Sequence, residues 1–169
     1  MTEELFDVVD EHDRVIGVAP RSEVHARNLL HRAVHIFVRN SRGELLVHRR
    51  TATKDQYPRC ITSSASGHLS TGEDYAVAAA RELFEELGLT SPLRFLVKLP
   101  GSAATCYEHS ALYETITDDS PRFDPSEIES GEFLTLDVVT TRLAATPEDF
   151  TPCFRELFGW YSQRTTSQM

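Results

Sequence analysis

The run from Asp74 to Leu87 (DYAVAAARELFEEL) limits what the chain can fold into more than any other segment. It is dense in Ala, Leu and Glu, which are strong helix formers, and it contains no Gly or Pro. Thr71 and Asp74 stand at capping-box spacing, and Gly88 stands where a left-handed C-terminal cap belongs. A helix over 74–87 puts Glu82, Glu85 and Glu86, at i, i+3 and i+4, on one face. Ala76, Ala80, Leu83 and Leu87 recur at helical spacing on the other side, which is expected in the core.

Like charges at these spacings oppose an isolated helix by about 0.2–0.5 kcal/mol per pair, and only Arg81 is adjacent to offset them. Two readings are open: a solvated acidic face, or a site for a hard cation. Mg²⁺, with Mn²⁺ as a substitute, suits the second, because it is held by one or two carboxylates together with substrate phosphates and water.

The 169 residues fit a single domain spanning 1–169, and a 40% hydrophobic content excludes a disordered or fibrous class. A net charge of −9 argues against a nucleic acid polymer as partner, since phosphate-backbone binders present a basic face. No apolar run approaches the ~18 residues needed to span a bilayer, so no membrane partner is expected. The acidic N-terminus is unlike a targeting peptide. Cys60, Cys106 and Cys153 have no short metal-ligand spacing and read as reduced thiols, buried as small hydrophobes. A cytoplasmic location is expected.

Residues 5–18 suggest an N-terminal hairpin, and 21–27 a helical turn. His31–Arg39 and Glu44–Arg50 read as central strands joined by a turn at Asn40–Gly43. The following stretch, 51–73, is rich in Ser, Thr, Gly and Pro and reads as a loop entering a site. Further strands are expected at 94–99, 105–117 and 131–136, and further helices at 137–145 and 150–163, with a frayed tail from 164 to 169. The sum is a mixed α/β domain, a sheet covered by helices.

A wider spacing favours the cation. Gly67, five residues, Glu73, seven residues, then Arg81-Glu82-Leu83-Phe84-Glu85-Glu86-Leu87-Gly88-Leu89 matches every specified position of the box carried by Nudix hydrolases. A chance match is on the order of one in 10⁸ per start site. The resemblance implies the α/β Nudix fold, an α/β/α sandwich with a mixed β-sheet and a loop-helix-loop catalytic motif. It implies a Mg²⁺-dependent hydrolase that cleaves a phosphoanhydride bond in a small-molecule diphosphate, nucleoside diphosphate-linked or related. It also implies Glu82, Glu85 and Glu86 as metal ligands, the Gly67 carbonyl as a further one, and Arg81 and Glu73 as braces.

Arg49, Arg50 and Lys54, at a strand end and in the loop before the box, are candidates to grip phosphates; solvated or paired arginines are the plain alternative. Nudix sites are often completed by an acid from a late loop. Here 124–133 resembles that loop, with Glu127 at the matching place and Glu129 and Glu132 as alternatives. Dimers are common among relatives, so a homodimer is an expectation.

With His31 before the first core strand, Arg49-Arg50 followed by Lys54 and Pro58, and the segment Thr62-Ser63-Ser64-Ala65-Ser66-Gly67-His68, the stretch from Leu5 to Leu89 also resembles the branch containing isopentenyl-diphosphate isomerases. His31, His68 and Glu108 fall near isomerase metal ligands, and His25 does so with a one-residue offset. Two features separate it from them. Ser66 stands where the isomerases carry a cysteine, and Cys106 stands where one of their metal-binding acids lies. The alternatives to a hydrolase are therefore an isomerase-like enzyme, and a non-catalytic nucleotide-sensing module, although such sensors usually lose the acids kept here.

Overall fold

The structure, a computed structural model, describes residues 2–167. Its N-terminal hairpin pairs β1 (Leu5–Val9) with β2 (Val15–Pro20), and a short α1 (Arg21–Ala26) follows. Asp10 accepts from the Arg14 amide and guanidinium and so fixes the turn.

The main sheet is organised on β3 (His31–Arg39), buried on both faces. It runs parallel to β8 (Glu108–Ile116) along its whole length, and β7 (Arg94–Leu99) extends that edge antiparallel to β8. β4 (Leu45–Arg50) touches β3 at a single pair, Arg39 and Leu45, and then pairs with β9 (Ile128–Leu134) and the two-residue β5 (Ile61–Thr62). β6 (Ala65–His68) fills in beside β3.

Divergence of β3 from β4 leaves backbone groups that need partners. The buried Ser64 supplies them: its Oγ accepts from the Val38 amide at 2.8 Å and donates to the Leu46 carbonyl. The stretch 51–73, expected as loop, therefore contains two short strands. Its Ser64 is the hydrogen-bonding wedge of the sheet.

Side chains alternate across the sheet. Val34, Ile36, Val38 and Leu46 pack under α2 (Tyr75–Leu87), while Phe37, Leu45, Val47 and Leu112 pack against α3 (Leu136–Ala145) and α4 (Pro152–Thr166). This is the mixed-sheet α/β/α sandwich.

Several expectations need correction. Ala76 and Ala80 of α2 are exposed, and the buried side is Ala78, Ala79, Leu83 and Leu87, because the acids do not stay opposite the core: Glu86 turns into it. Asp74 occupies the N-cap but makes no side-chain cap bond, and the Thr71 hydroxyl donates to the Leu5 carbonyl instead. Gly88 does take the left-handed cap, at φ 67°. A 3₁₀ turn at Ala103–Thr105 delays β8 to Glu108, and β9 begins at Ile128, upstream of Gly131. The last helix runs through Arg164–Thr166, part of the tail expected to fray; residues 168–169 of that tail lie outside the described residues.

Candidate active site

β6 leads into α2 through a tight loop held by Arg81. Its Nε and Nη2 form a fork on the Glu73 carboxylate at 2.7 and 2.9 Å, Nη2 also donates to the His68 carbonyl at 3.2 Å, and Nη1 reaches Glu82 at 2.7 Å and Glu85 at 3.2 Å. One planar guanidinium thus ties the loop to the acidic helix face. Arg81 and Glu73 stand where a brace is needed.

The three box glutamates are graded by depth. Glu85 is exposed, Glu82 is half-buried, and Glu86 is 4% exposed, accepting from the Ser66 amide at 3.0 Å. Burial pushes the Glu82 carboxyl up to about 7, helped by Glu85 and Glu127 against the pull of Arg81. Burial first, then the neighbouring Glu82, holds Glu86 well above the carboxylate range. Two buried like-charged acids side by side are what a divalent cation relieves, so the donor set fits the metal.

This has a measurable sign. Folded values above the ordinary 4.5 mean that the stability from Glu82 is present below that pH and lost as pH rises through about 7, with Glu86 acting in the same direction. Thermal melts of the metal-free protein are expected to fall from pH 5 to pH 8 more steeply for wild type than for Glu82→Gln, and Mg²⁺ is expected to restore the wild type at pH 8. Parallel curves for the two proteins would contradict this.

Gly67 lies in β6 directly under Glu82, and a Cβ there would overlap that carboxylate. Gly67→Ala is expected to displace Glu82 and lower turnover about 10²-fold with the fold retained, measured as initial rate beside circular dichroism. A rate near wild type would show that Glu82 need not sit there.

The late loop is hung on the end of α2. Arg122 N donates to the Leu87 carbonyl at 2.8 Å and Asp124 N to the Glu86 carbonyl at 3.0 Å, which swings Glu127 back over the acids. Glu127 forms an ion pair with Lys54. Glu129 is exposed on β9, and Glu132 pairs with Arg142 at 2.7 Å, so neither joins the cluster.

A cavity of about 250 Å³ opens here, and its lining includes Gly67, Arg81, Glu82, Glu85, Glu86 and Glu127 together with Arg50 and Lys54. Arg49 does not belong to it. Successive strand residues face opposite ways, and Arg49 donates to the Arg59 carbonyl at 2.6 Å. The sequence reading missed Arg21, Asp124, His35 and Cys153, which also line the cavity.

His25, His31 and His68 gather beside it, their ligand nitrogens within 4.8 Å of one another. His31 Nδ1 bonds the Leu29 carbonyl at 2.8 Å, while its Nε2, like that of His25, is buried without a hydrogen-bond partner among the described residues, 3.9 Å from Glu108 Oε1 in the case of His31. Burial, with the charges of His68 and Arg21, lowers His25 to about 4, the neutral form that ligates metals. His68 Nε2 reaches Glu108 Oε1 at 3.0 Å. The orphaned imidazole nitrogens fit a second cation.

Residues 29–154 match the family model described as NUDIX domain. The chain is 33% identical over 157 residues to an isopentenyl-diphosphate Delta-isomerase of Pectobacterium atrosepticum, covering 90% of this chain and 88% of that one. It is also 33% identical to a Nudix hydrolase of Deinococcus radiodurans, covering 86% of each. The crystal structure of DR0079 from Deinococcus radiodurans superposes with a TM-score of 0.77 at 34% identity, over 84% of this chain and 90% of that one. The NUDIX domain of Shewanella oneidensis NrtR, solved with ADP ribose, shares the fold alone, at 10% identity and a TM-score of 0.64 over 87% and 99% of the two chains. Among the described residues no helix is long and apolar enough to cross a membrane. With the box complete, its acids gathered in one cavity, and the family model matched across most of the length, the chain belongs to the Nudix family.

Proposed function

We propose that the chain, acting as one domain over 1–169 in the cytoplasm, hydrolyses a phosphoanhydride bond in an organic diphosphate of the nucleoside diphosphate-linked class. In this reading Mg²⁺ is held by Glu82, Glu85, Glu86 and the Gly67 carbonyl. The observation that carries it is the mixed charge lining one cavity: the acids Glu82, Glu86 and Glu127 share it with Arg21, Arg50 and Lys54, and Lys54 is already paired with Glu127. Acids that need cations, lining the same cavity as bases that suit phosphate oxygens, fit a phosphate-bridged substrate.

Bound Mg²⁺ supplies charge neutralisation at phosphorus and a more acidic water. The chain's own residues do the rest. Arg81 keeps Glu82 and Glu85 in register, Lys54 exchanges its Glu127 partner for a phosphate oxygen, and the freed Glu127 carboxylate takes the proton from the attacking water. ADP ribose in the Shewanella oneidensis NUDIX domain is a ligand of the proposed class.

The isomerase reading is favoured by the likeness to the Pectobacterium atrosepticum isomerase and by the His25–His31–His68 cluster beside Glu108. Moving a double bond needs an acid and a base across the allyl unit, and at Ser66 the chain offers a hydroxyl far less acidic than a thiol. The test is a Mg²⁺ turnover screen of nucleoside diphosphates, nucleoside triphosphates, nucleotide sugars and isoprenoid diphosphates, with isopentenyl diphosphate run in D₂O. Phosphate or nucleotide release from a nucleotide substrate is expected. Deuterated dimethylallyl diphosphate formed at catalytic rates would overturn the reading and point back to Ser66.

A further inference from the structure

Glu108 faces two clusters with its two oxygens. Oε1 meets His68 and His31, while Oε2 lies 3.7 Å from His35 Nε2 and 3.3 Å from Cys153 Sγ. His35, Glu108 and Cys153 are each less than a tenth exposed, their ligand atoms lie within 4.8 Å of one another, and all three line the cavity. They come from β3, β8 and the first turn of α4, so the sandwich itself brings them together.

Two details point to a ligand. His35 Nδ1 is hydrogen-bonded to the buried Ser63 Oγ at 2.9 Å, which leaves Nε2 aimed at Glu108. Anchoring a ligating imidazole by its second nitrogen is the usual arrangement around a metal. Cys153 sits just inside the N-terminus of α4, with Thr151 capping that end through the Phe154 amide; its contact with Cys106, burial and the Glu108 charge hold the thiol well above its ordinary range, so it is a bound cation that would draw off its proton.

We propose that His35, Glu108 and Cys153 form a site for a borderline-soft divalent cation of the zinc class, with its fourth position open to the cavity. Imidazole, carboxylate and thiolate together suit Zn²⁺ and disfavour Mg²⁺, which takes oxygen ligands. Three protein ligands with an open position leave room for water or a substrate oxygen. Binding replaces the Cys153 S–H bonds to Glu108 and the Thr105 carbonyl by a metal–sulfur bond and releases the thiol proton to solvent. This site is separate from the carboxylates of α2 and does not depend on the hydrolytic reading.

The test is titration of the full chain with cobalt(II) alone, anaerobically and with a phosphine reductant so that Cys106 and Cys153 stay reduced. A thiolate-to-cobalt charge-transfer band is expected. It is expected to vanish in Cys153→Ser, to weaken in affinity about 10–100-fold in Ser63→Ala, and to persist in Glu86→Gln and His25→Ala, with circular dichroism confirming each fold. His35→Ala gives the same readout if Cys153→Ser does not fold. Absence of the band in wild type, its survival in both Cys153→Ser and His35→Ala, or its loss in Cys106→Ser while Cys153→Ser keeps it, would each overturn the site.

Discussion

Glu86→Gln is expected to lower Mg²⁺-dependent turnover on the order of 10²–10³-fold, the scale on which loss of one charge-stabilising group acts. The substitution is nearly isosteric, and the amide oxygen can still accept from the Ser66 amide, so the β6–α2 packing survives. What disappears is a negative charge in the most buried place on the acidic face. Because burial and Glu82 both oppose that charge when no cation is present, the variant is expected to be at least as stable as wild type at pH 8 without metal. Lower activity with unchanged or higher stability separates a metal ligand from a structural glutamate, which would lose both. Glu82→Gln and Glu85→Gln are expected to act in the same direction, and combinations to be less than additive because the three work as a unit. Near wild-type turnover in Glu86→Gln at saturating Mg²⁺ would remove the basis of the metal assignment.

The second large effect is expected at Glu127. A positioned general base contributes on the order of 10²–10⁴-fold, so Glu127→Gln is expected to reduce kcat on that scale with little change in apparent Mg²⁺ affinity. Its loop hangs from the last turn of α2 by backbone bonds that the substitution leaves alone. Its partner Lys54 is released, so KM is expected to hold or fall. Glu132→Gln serves as the control, since that side chain is occupied by Arg142 on the outer surface. A larger loss at Glu132 or Glu129 than at Glu127 would show that the base comes from elsewhere in the loop.

The parts of this protein legible in its sequence are those whose signals are local. The α2 helix, its glycine cap and the order of the box acids depend on spacing within a few turns, and strand β7 matches its expected limits residue for residue. The errors fall where a distant partner decides. Burial of Ala78 and Ala79 in place of Ala76 and Ala80 follows from the way Glu86 turns into the sheet, which helical spacing alone leaves open by a fraction of a turn. β5 and β6 look like loop because the serines in and between them are polar, yet Ser64, which joins them, is buried as the bridge between two diverging strands. Arg49 and Arg50 are indistinguishable until β4 has a face. His35 and Cys153 carry no local signal, because they meet through Glu108 across more than half the chain. Cys106, read as a small hydrophobe, is half-buried and lines the cavity.

The central claim is that water attacks phosphorus in a cation-dependent step organised by the α2 carboxylates. It is tested most directly by incubating wild type and Glu86→Gln with a nucleoside diphosphate-linked substrate and Mg²⁺ in ¹⁸O-water, and weighing the products. The expected result is one ¹⁸O on a phosphoryl product of the wild type, none above background when Mg²⁺ is chelated, and very little in the variant. Equal label in wild type and Glu86→Gln, or label that persists after chelation, would contradict it.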